Sequence, residues 1–308
     1  MARTAHSSRL CTFVLTCALA TFAICDLPCP MAAASESGLS QIAALTPQQF
    51  QEAEQRASHG DRVSQAILAV AYEQGIHVVK NDVESARWYR RLADSGSVDA
   101  QNRMGIFCQE GRGVPQSYTE AAEWFQKAAT MGDDAAQANL ATLYLKGWGV
   151  LQSFDEAAKW YEVSARQGNR TAQNNLAYLY SSGQGVVLDK ARAAYWYRQA
   201  ASQGDGLAAL NLGLLYEEGA GALPDEKEAL RWFAAASEKG VTRAYSNQAR
   251  LYMFGKQTPH DYVRAYELLN KAIAGGDDVV RPWLQKCRQE ITKAENVPAP
   301  AAAVSNPK

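Results

Sequence analysis

Histidine is scarce in this sequence, with 4 residues among 308. His6, His59, His77 and His260 lie in the N-terminal segment or beside turns, and no two have the spacing that places metal ligands on one helix face. His260 precedes Asp261, a pair typical of hydrolytic or metal sites, but Asp261 also stands where a helix cap is expected. We therefore expect no metal, no cofactor and no catalytic residue.

An excess of charge of either sign is also missing. Lys and Arg together number 31 against 32 Asp and Glu, which gives a net charge of −1. Proteins that bind nucleic acid usually carry a basic patch, so we expect no nucleic-acid partner. The hydrophobic fraction of 47% is high enough for a chain of this length to bury a sizeable core.

A long uncharged apolar stretch occurs at the N terminus. Two arginines precede residues 10–25 (LCTFVLTCALATFAIC), and small residues follow near Ala34. This order is typical of an export signal, and the stretch is short for a membrane span. We expect residues 1–34 to be removed and the mature protein to be periplasmic or secreted. Cleavage near Ala20 and an uncleaved anchor are the alternatives.

A period of 36 residues runs through the middle of the chain. Tryptophan recurs at this step from Trp88 to Trp232. Repeats of about 20 to 50 residues are the signature of stacked supersecondary units. The periodic glycines are Gly60, Gly96, Gly132, Gly168, Gly204, Gly240 and Gly276.

Two columns of helix-capping residues divide each repeat into two helices, which we name helix A and helix B. Side chains of Asp, Asn and Ser accept hydrogen bonds from the free N–H groups of a first helical turn. The column that predicts the start of helix A is Asp61, Ser97, Asp133, Asn169, Asp205, Val241 and Asp277, with valine as its one exception. The column that predicts helix B is Asn81, Ser117, Ser153, Asp189, Asp225 and Asp261.

A Gly-x-Gly-Val turn joins helix A to helix B in three repeats, beginning at Gly111, Gly147 and Gly183. Glycine pairs of this kind also occur in loops that bind phosphate. Such loops follow a strand and open directly into a helix, which these do not. We interpret the first glycine as a helix terminator and the second as the residue that lets the chain reverse.

The repeated residues resemble a known family. Residues 172–186 (AQNNLAYLYSSGQGV), followed by the pattern AxxWYxxAAxxG, are similar to the Sel-like repeat, a relative of the tetratricopeptide repeat. The resemblance covers residues 61–276. It implies an all-α fold, a right-handed α/α solenoid of about six 36-residue helix-turn-helix repeats with flanking capping helices. It also implies that helix A lines the inner surface and helix B the outer one.

The ends of the repeat array complete the predicted organisation. Residues 35–60 are expected to form a linker and a capping helix that starts at Thr46, and residues 277–294 a C-terminal capping helix. Residues 295–308 have too few large apolar groups to fold and are expected to be a disordered tail. The last repeat departs from the pattern at Val241, Gln248, Gly255 and Leu268, as expected of the atypical end of a stack.

The candidate binding surface is the side of helix A that faces away from the packed Ala, Leu and Tyr columns. The fifth and ninth residues after each helix A cap are expected there, and their mixture of apolar, amide and guanidinium groups suits a peptide or partner helix. A neighbouring asparagine column either contacts a ligand or forms hydrogen bonds between repeats. The candidate residues are Asn174, Tyr178, Leu210, Leu214, Arg250, Asn139, Asn175 and Asn211.

The expected function is that of an exported, non-enzymatic interaction scaffold or regulatory adaptor. Its partner would be a protein or peptide, with an envelope protein as one candidate, and no stable membrane insertion is expected after signal cleavage. A cysteine-rich branch of the same family implies a β-lactamase-like or penicillin-binding enzyme as the alternative. That branch has a disulfide in every repeat, whereas no repeat here contains two cysteines. A glycan- or peptidoglycan-binding module is a further alternative.

The cysteines give a first testable prediction. After loss of residues 1–34 the thiols left are Cys108 and Cys287, almost five repeats apart. Helix layers about 10 Å thick would separate them by tens of ångströms, beyond the roughly 7 Å that a disulfide spans between Cα atoms. We expect the mature protein to migrate identically on reducing and non-reducing gels, and a faster non-reduced band would contradict this.

Overall fold

The computed structural model describes residues 36–219 and 224–295, where the regular elements are all helices and no strand occurs. The predicted export signal and nearly all of the predicted tail lie outside the described residues. Within the described ranges, no helix has both the length and the apolarity that crossing a membrane requires. The chain divides into two compact units, Met1–Trp88 and Tyr89–Lys308.

The first unit contains three complete helices: α1 (Glu36–Ala43), α2 (Pro47–Ser58) and α3 (Arg62–Gln74). It also holds the first half of α4 (Asp82–Asp94). Helix α1 was not predicted and occupies the segment expected to be a linker. Helix α2 begins as predicted, because the Thr46 hydroxyl and the Gln49 side chain each accept a hydrogen bond from the other residue's backbone N–H.

His77 has a structural role that the sequence did not reveal. It holds the place that the second glycine of the turn has in later repeats, and its φ of 62° is in the left-handed region. Its ring lies 5.1 Å from that of Phe50, and its Nε2 is 2.8 Å from the carbonyl oxygen of Ile42. The imidazole therefore links the first turn to α1 and α2 while remaining exposed at the turn, as predicted.

The second unit continues the alternation of helices, each packed against the next along the chain. The A helices are the odd-numbered ones from α3 to α13 and the B helices the even-numbered ones from α4 to α14. The helices of this unit after α4 are α5 (Val98–Glu110), α6 (Tyr118–Thr130), α7 (Asp134–Lys146), α8 (Phe154–Arg166), α9 (Arg170–Ser182), α10 (Lys190–Ser202), α11 (Gly206–Glu218), α12 (Glu226–Glu238), α13 (Thr242–Phe254), α14 (Tyr262–Ala274) and α15 (Arg281–Glu295).

The capping columns were predicted well for B helices and less well for A helices. All six B caps accept a backbone N–H, Asn81 from two residues. Among the A caps Ser97 makes no such bond, although its residue type favours one, and Val241 makes none. Asp277 is also not a helix cap of the predicted kind: a short 3₁₀ turn follows it, and α15 begins only at Arg281.

The second glycine of the turn permits contact between successive repeats. At Gly149, where φ is 70°, an added Cβ would lie 2.2 Å from the carbonyl carbon of Tyr118. At Gly185 the corresponding distance to the carbonyl carbon of Phe154 is again 2.2 Å. Tyr118 and Phe154 begin the B helix of the preceding repeat. The turn therefore packs against backbone, which adds a steric reason for glycine to the conformational one.

Buried glutamines connect four of the A helices, α3, α5, α7 and α9, to the helix before them. Gln137 Nε2 donates to the Ala129 carbonyl at 3.1 Å, and Gln173 Nε2 donates to the Ala165 carbonyl at the same distance. Gln65 and Gln101 make the same bond in the two earlier repeats. Because a buried amide without partners is costly, these bonds fix the register of neighbouring helices.

The core of the second unit is continuous across repeats. The side chains of Tyr161, Leu176 and Leu212, from three successive repeats, are fully buried in one cluster. Trp124 is buried, and Trp160 packs half-buried against the cluster. The apolar columns are therefore shared between neighbouring helix pairs, as the repeat pattern predicts.

The turn of the last repeat is held by a carboxylate instead of a second glycine. Glu226 accepts hydrogen bonds from the backbone N–H groups of Lys256, Gln257 and Thr258, at 2.8, 2.8 and 2.9 Å. Burial raises the pKa of Glu226, but the hydrogen bonds from these donors together lower it by more. The pKa of this carboxyl therefore lies below its ordinary value. The turn after Gly255 lacks the second glycine, and the Glu226 carboxylate holds it instead.

Substitution of the second glycine should disrupt contact between repeats. For Gly149→Ala we expect the free energy of unfolding to fall by about 2–4 kcal/mol, because the alanine would be strained at a left-handed φ and its Cβ would clash with backbone. Gly168 also has positive φ, but nothing lies within 4 Å of its Cβ position. Gly168→Ala should therefore cost only about 1–2 kcal/mol. Urea unfolding of both variants measures the difference, and equal losses would refute the close-approach argument.

Glu226 should make the last turn sensitive to acid. Because its folded pKa is below its unfolded value near 4.5, its stabilisation is complete above that value and is lost as pH falls through the lowered folded pKa. Glu226→Gln should increase amide hydrogen exchange at residues 256–258 at neutral pH. Glu162→Gln, at an exposed pair with Arg166, is the control. Unchanged protection in Glu226→Gln would contradict the assignment.

Candidate functional site

The described residues offer no obvious centre for covalent or metal chemistry. Within residues 36–219 and 224–295, no three His, Cys, Asp or Glu side chains come together as metal ligands would. Cys108 and Cys287 are free thiols and both are buried. Burial raises the pKa of Cys108 to about 11, and the nearby Glu120 carboxylate adds to the shift. A thiol with a raised pKa is a poor nucleophile at neutral pH, which agrees with a packing role.

His260 and Asp261 do not act as a pair in this structure. Asp261 accepts the backbone N–H of Arg264 at 2.9 Å and caps α14, as its column predicts. His260 Nε2 is 3.1 Å from the carbonyl oxygen of Gly255. Both side chains therefore order the turn before α14.

The accessible side of the A helices in the second unit carries the sixth and ninth residues after each cap; we call it the A face. Side chains of successive A helices form hydrogen bonds on this face: Asn139 Nδ2 on α7 donates to Asn102 Oδ1 on α5 at 3.1 Å. Tyr178 is 49% exposed on this face. Its hydroxyl is not hydrogen-bonded to any described residue. The ninth-residue column continues through Thr142, Leu214 and Arg250.

The fifth residues after the caps were predicted to be accessible and are largely buried. Leu210 is only 6% exposed and packs in a core cluster with Phe233, so that its predicted role as a contact residue is corrected to a core role. Ala138 is similarly buried, and Asn174 is half-buried. The reason is packing: Leu210 shares its cluster with Phe233 of α12 and Leu251 of α13, so neighbouring helices cover it, which its position within a single helix does not reveal.

The asparagine column has hydrogen-bonding roles between repeats. Asn175 Nδ2 donates to the Tyr161 hydroxyl at 3.1 Å, and this hydroxyl also lies 2.8 Å from Thr142 Oγ1. Burial raises the pKa of Tyr197 one repeat later, and the nearby Asn211 side chain partly offsets this shift. Of the two alternatives left open by the sequence, the structural one therefore describes Asn175.

The partner of each asparagine depends on the ring carried by helix B. Tyr161 and Tyr197 supply hydroxyls, whereas the same column holds Phe125 and Phe233 in other repeats. Beside Phe125, Asn139 bonds Asn102 instead. Beside Phe233, the buried Nδ2 of Asn247 has no hydrogen-bond partner. The sequence contained this signal, because the Tyr/Phe alternation is visible at the 36-residue step.

Arg250 is already engaged within the protein. Its guanidinium makes a bidentate pair with the Glu217 carboxylate, with Nη1 at 2.5 Å from Oε1, and this pair joins α13 to α11. The pair is partly buried, which strengthens its hydrogen bonds relative to an exposed one. Arg250 is therefore less available to a partner than its position in the column suggested.

An exposed leucine that the sequence analysis did not select lies near the start of α11. Leu207 is 58% exposed, and it stands two residues after the Asp205 cap, on the same helical side as the sixth and ninth positions. Leu214 lies on this side two turns later and is half-buried. Together with Tyr178, these side chains give the A face an accessible apolar part.

Comparison with known families matches the repeat pattern along most of the described chain. The Sel1 repeat model matches six consecutive segments, residues 63–97, 98–133, 134–169, 171–205, 206–241 and 243–277. No curated protein sequence matches the chain.

Two solved structures are similar in both sequence and fold. One is c5321, a protective antigen of uropathogenic Escherichia coli with an SLR fold, at 28% identity and a TM-score of 0.75 over 85% of this chain and 59% of that one. The chain thus spans less than two thirds of that protein. The other is a Sel1 repeat protein from Oxalobacter formigenes, at 26% identity and a TM-score of 0.62, over 79% of this chain and 92% of that one. The alternating helices, the shared core columns and the six matched segments show that the chain belongs to the Sel1 repeat family.

Proposed function

We propose that the chain is an exported scaffold that binds a protein or peptide partner on the A face of its second unit. Proteins of the Sel1 repeat family generally mediate protein–protein interactions, and the family is typically non-enzymatic. The chain's partner, its export and the use of this face are our proposal. Support for export comes from Arg3, Arg9 and the apolar residues 10–25 that follow them.

The observation that carries the binding proposal is the exposure of Tyr178. A tyrosine that is half exposed, with a free hydroxyl, supplies both apolar contact area and a hydrogen-bonding group, and tyrosine is enriched among residues that dominate binding energy. Its neighbour Asn175 is bonded to Tyr161 and so contributes to the fold. Substitutions of Tyr178 and Asn175, on the same helix, therefore test partner binding and folding stability separately.

Leu207 and Leu214 extend the proposed contact surface into the next repeat. They stand on α11 at the same helical side as Tyr178 on α9. A partner helix or an extended segment that crosses the A helices would cover all three. Apolar side chains on the same helical side as a column of asparagines match the composition of interfaces with an apolar centre and a polar rim.

Three substitutions test the proposal. In a pull-down from an envelope fraction, Tyr178→Ala should weaken partner capture by about thirty-fold, equivalent to roughly 2 kcal/mol for a central tyrosine, with an unchanged melting temperature. Asn175→Ala should instead cost about 1 kcal/mol of stability, because the Tyr161 hydroxyl loses a donor.

The matched control is Tyr195→Ala. Tyr195 is 52% exposed, like Tyr178, but lies on the B helix α10 against Trp196. This variant should retain the partner. Equal loss of capture in Tyr195→Ala and Tyr178→Ala, or a large drop in the melting temperature of Tyr178→Ala, would place the binding surface elsewhere.

A further inference from the structure

The last repeat contains a cavity where its sequence departs from the other repeats. The cavity has a volume of about 560 Å³ and lies among the C-terminal end of α12, α13 and α14. This volume is in the range of sites for small ligands. Gln248, Leu268 and Tyr245 line it. In the earlier repeats these columns hold mainly leucine, tryptophan and glutamine, respectively.

Gln248 places an unused hydrogen-bond acceptor in the cavity. The residue is only 6% exposed. Its Nε2 lies 3.2 Å from both the Phe233 carbonyl oxygen and Ser237 Oγ, and 3.5 Å from the Ala244 carbonyl oxygen. Since two of these groups are carbonyls, they fix the amide with its nitrogen toward them. Oε1 therefore points away, and no described residue donates to it.

Leu268 accounts for the space beside this acceptor. It occupies the column that holds Trp88, Trp124, Trp160, Trp196 and Trp232 in the five preceding repeats. Leucine lacks the indole that fills this position elsewhere, and here it lines the cavity while remaining buried. The two departures from the repeat pattern thus act together: Leu268 leaves space in the cavity, and Gln248 adds a polar group to its wall.

The walls of the cavity combine an aromatic ring with charges of both signs. Tyr245 is half-buried and contributes its ring, while its hydroxyl donates to the Ser237 carbonyl at 3.3 Å. The cationic side chains at the rim are Arg264 and Lys271, and the carboxylates are Glu238, Glu267 and the helix cap Asp261. Opposite charges nearly cancel, so the site does not favour a strongly anionic or a strongly cationic ligand.

We propose that this cavity binds one sugar ring of a neutral glycan. A pyranose has an apolar face of C–H groups that fits the Tyr245 ring, and hydroxyls that both donate and accept hydrogen bonds. A sugar hydroxyl can donate to Gln248 Oε1, which no described residue does, while the rim cations and carboxylates supply the complementary partners. The site uses α13 residues other than those on the A face, so it is independent of the proposed protein-binding surface.

Restoring the residues of the earlier repeats gives the most direct test. Leu268→Trp should fill the space, and Gln248→Leu should remove the acceptor; both residue types already occur in these columns and are expected to fold. Calorimetric titration of the full chain with cellobiose, maltose and N,N′-diacetylchitobiose should show saturable binding of at least one disaccharide. Each variant should weaken it by about tenfold or more, the loss expected when a ligand contact is removed.

Two controls complete the experiment. Tyr178→Ala should bind the disaccharide as the wild type does, which separates this site from the A face. A lysine-containing tetrapeptide should not bind. The proposal is overturned if no disaccharide gives saturable heat, if Leu268→Trp and Gln248→Leu bind as tightly as the wild type with unchanged melting temperatures, or if the tetrapeptide binds and the sugars do not.

Discussion

Burial of each helix pair against the next is the interaction on which this structure depends. A single pair exposes the apolar sides of both helices, and the cluster that includes Tyr161, Leu176 and Leu212 shows three repeats contributing to one core. The buried glutamines make this packing specific, because the amides of Gln137 and Gln173 must each reach a particular carbonyl of the preceding B helix. Apolar contact supplies most of the stabilisation, while the hydrogen bonds and the close backbone approach at Gly149 determine the register.

The same packing decides which residues remain for function. Side chains that point toward a neighbouring helix are used by the core, as Leu210 is, and many polar groups on the A face bond across repeats, as Asn175 and Arg250 do. Tyr178 is different because its ring is exposed and its hydroxyl is free of intramolecular bonds. A surface for partners in such a protein is therefore a small set of residues that the fold does not need.

The last repeat shows how an array can end without losing order. Its turn is held by the Glu226 carboxylate in place of a second glycine, and its core contains Gln248 where the others have mainly leucine. A terminal repeat has a neighbour on one side and packs against the closing helix α15 on the other. The cavity that Gln248 and Leu268 line lies in this terminal repeat, and Gln248 Oε1 is the acceptor on which our glycan proposal rests.

The sequence by itself determined the helical repeat, its 36-residue step, the B-helix caps and the turns, because these depend on local hydrogen bonding and on periodic burial. It could not determine that Ser97 would leave its helix uncapped, that α1 would form, or that His77 would bond the Ile42 carbonyl. Only the tertiary structure decided which side chains of the candidate surface were free. The direction of a side chain follows from its own helix, whereas its burial and its partners depend on residues about 14 to 37 positions away, as between Asn175 and Tyr161 or Asn139 and Asn102.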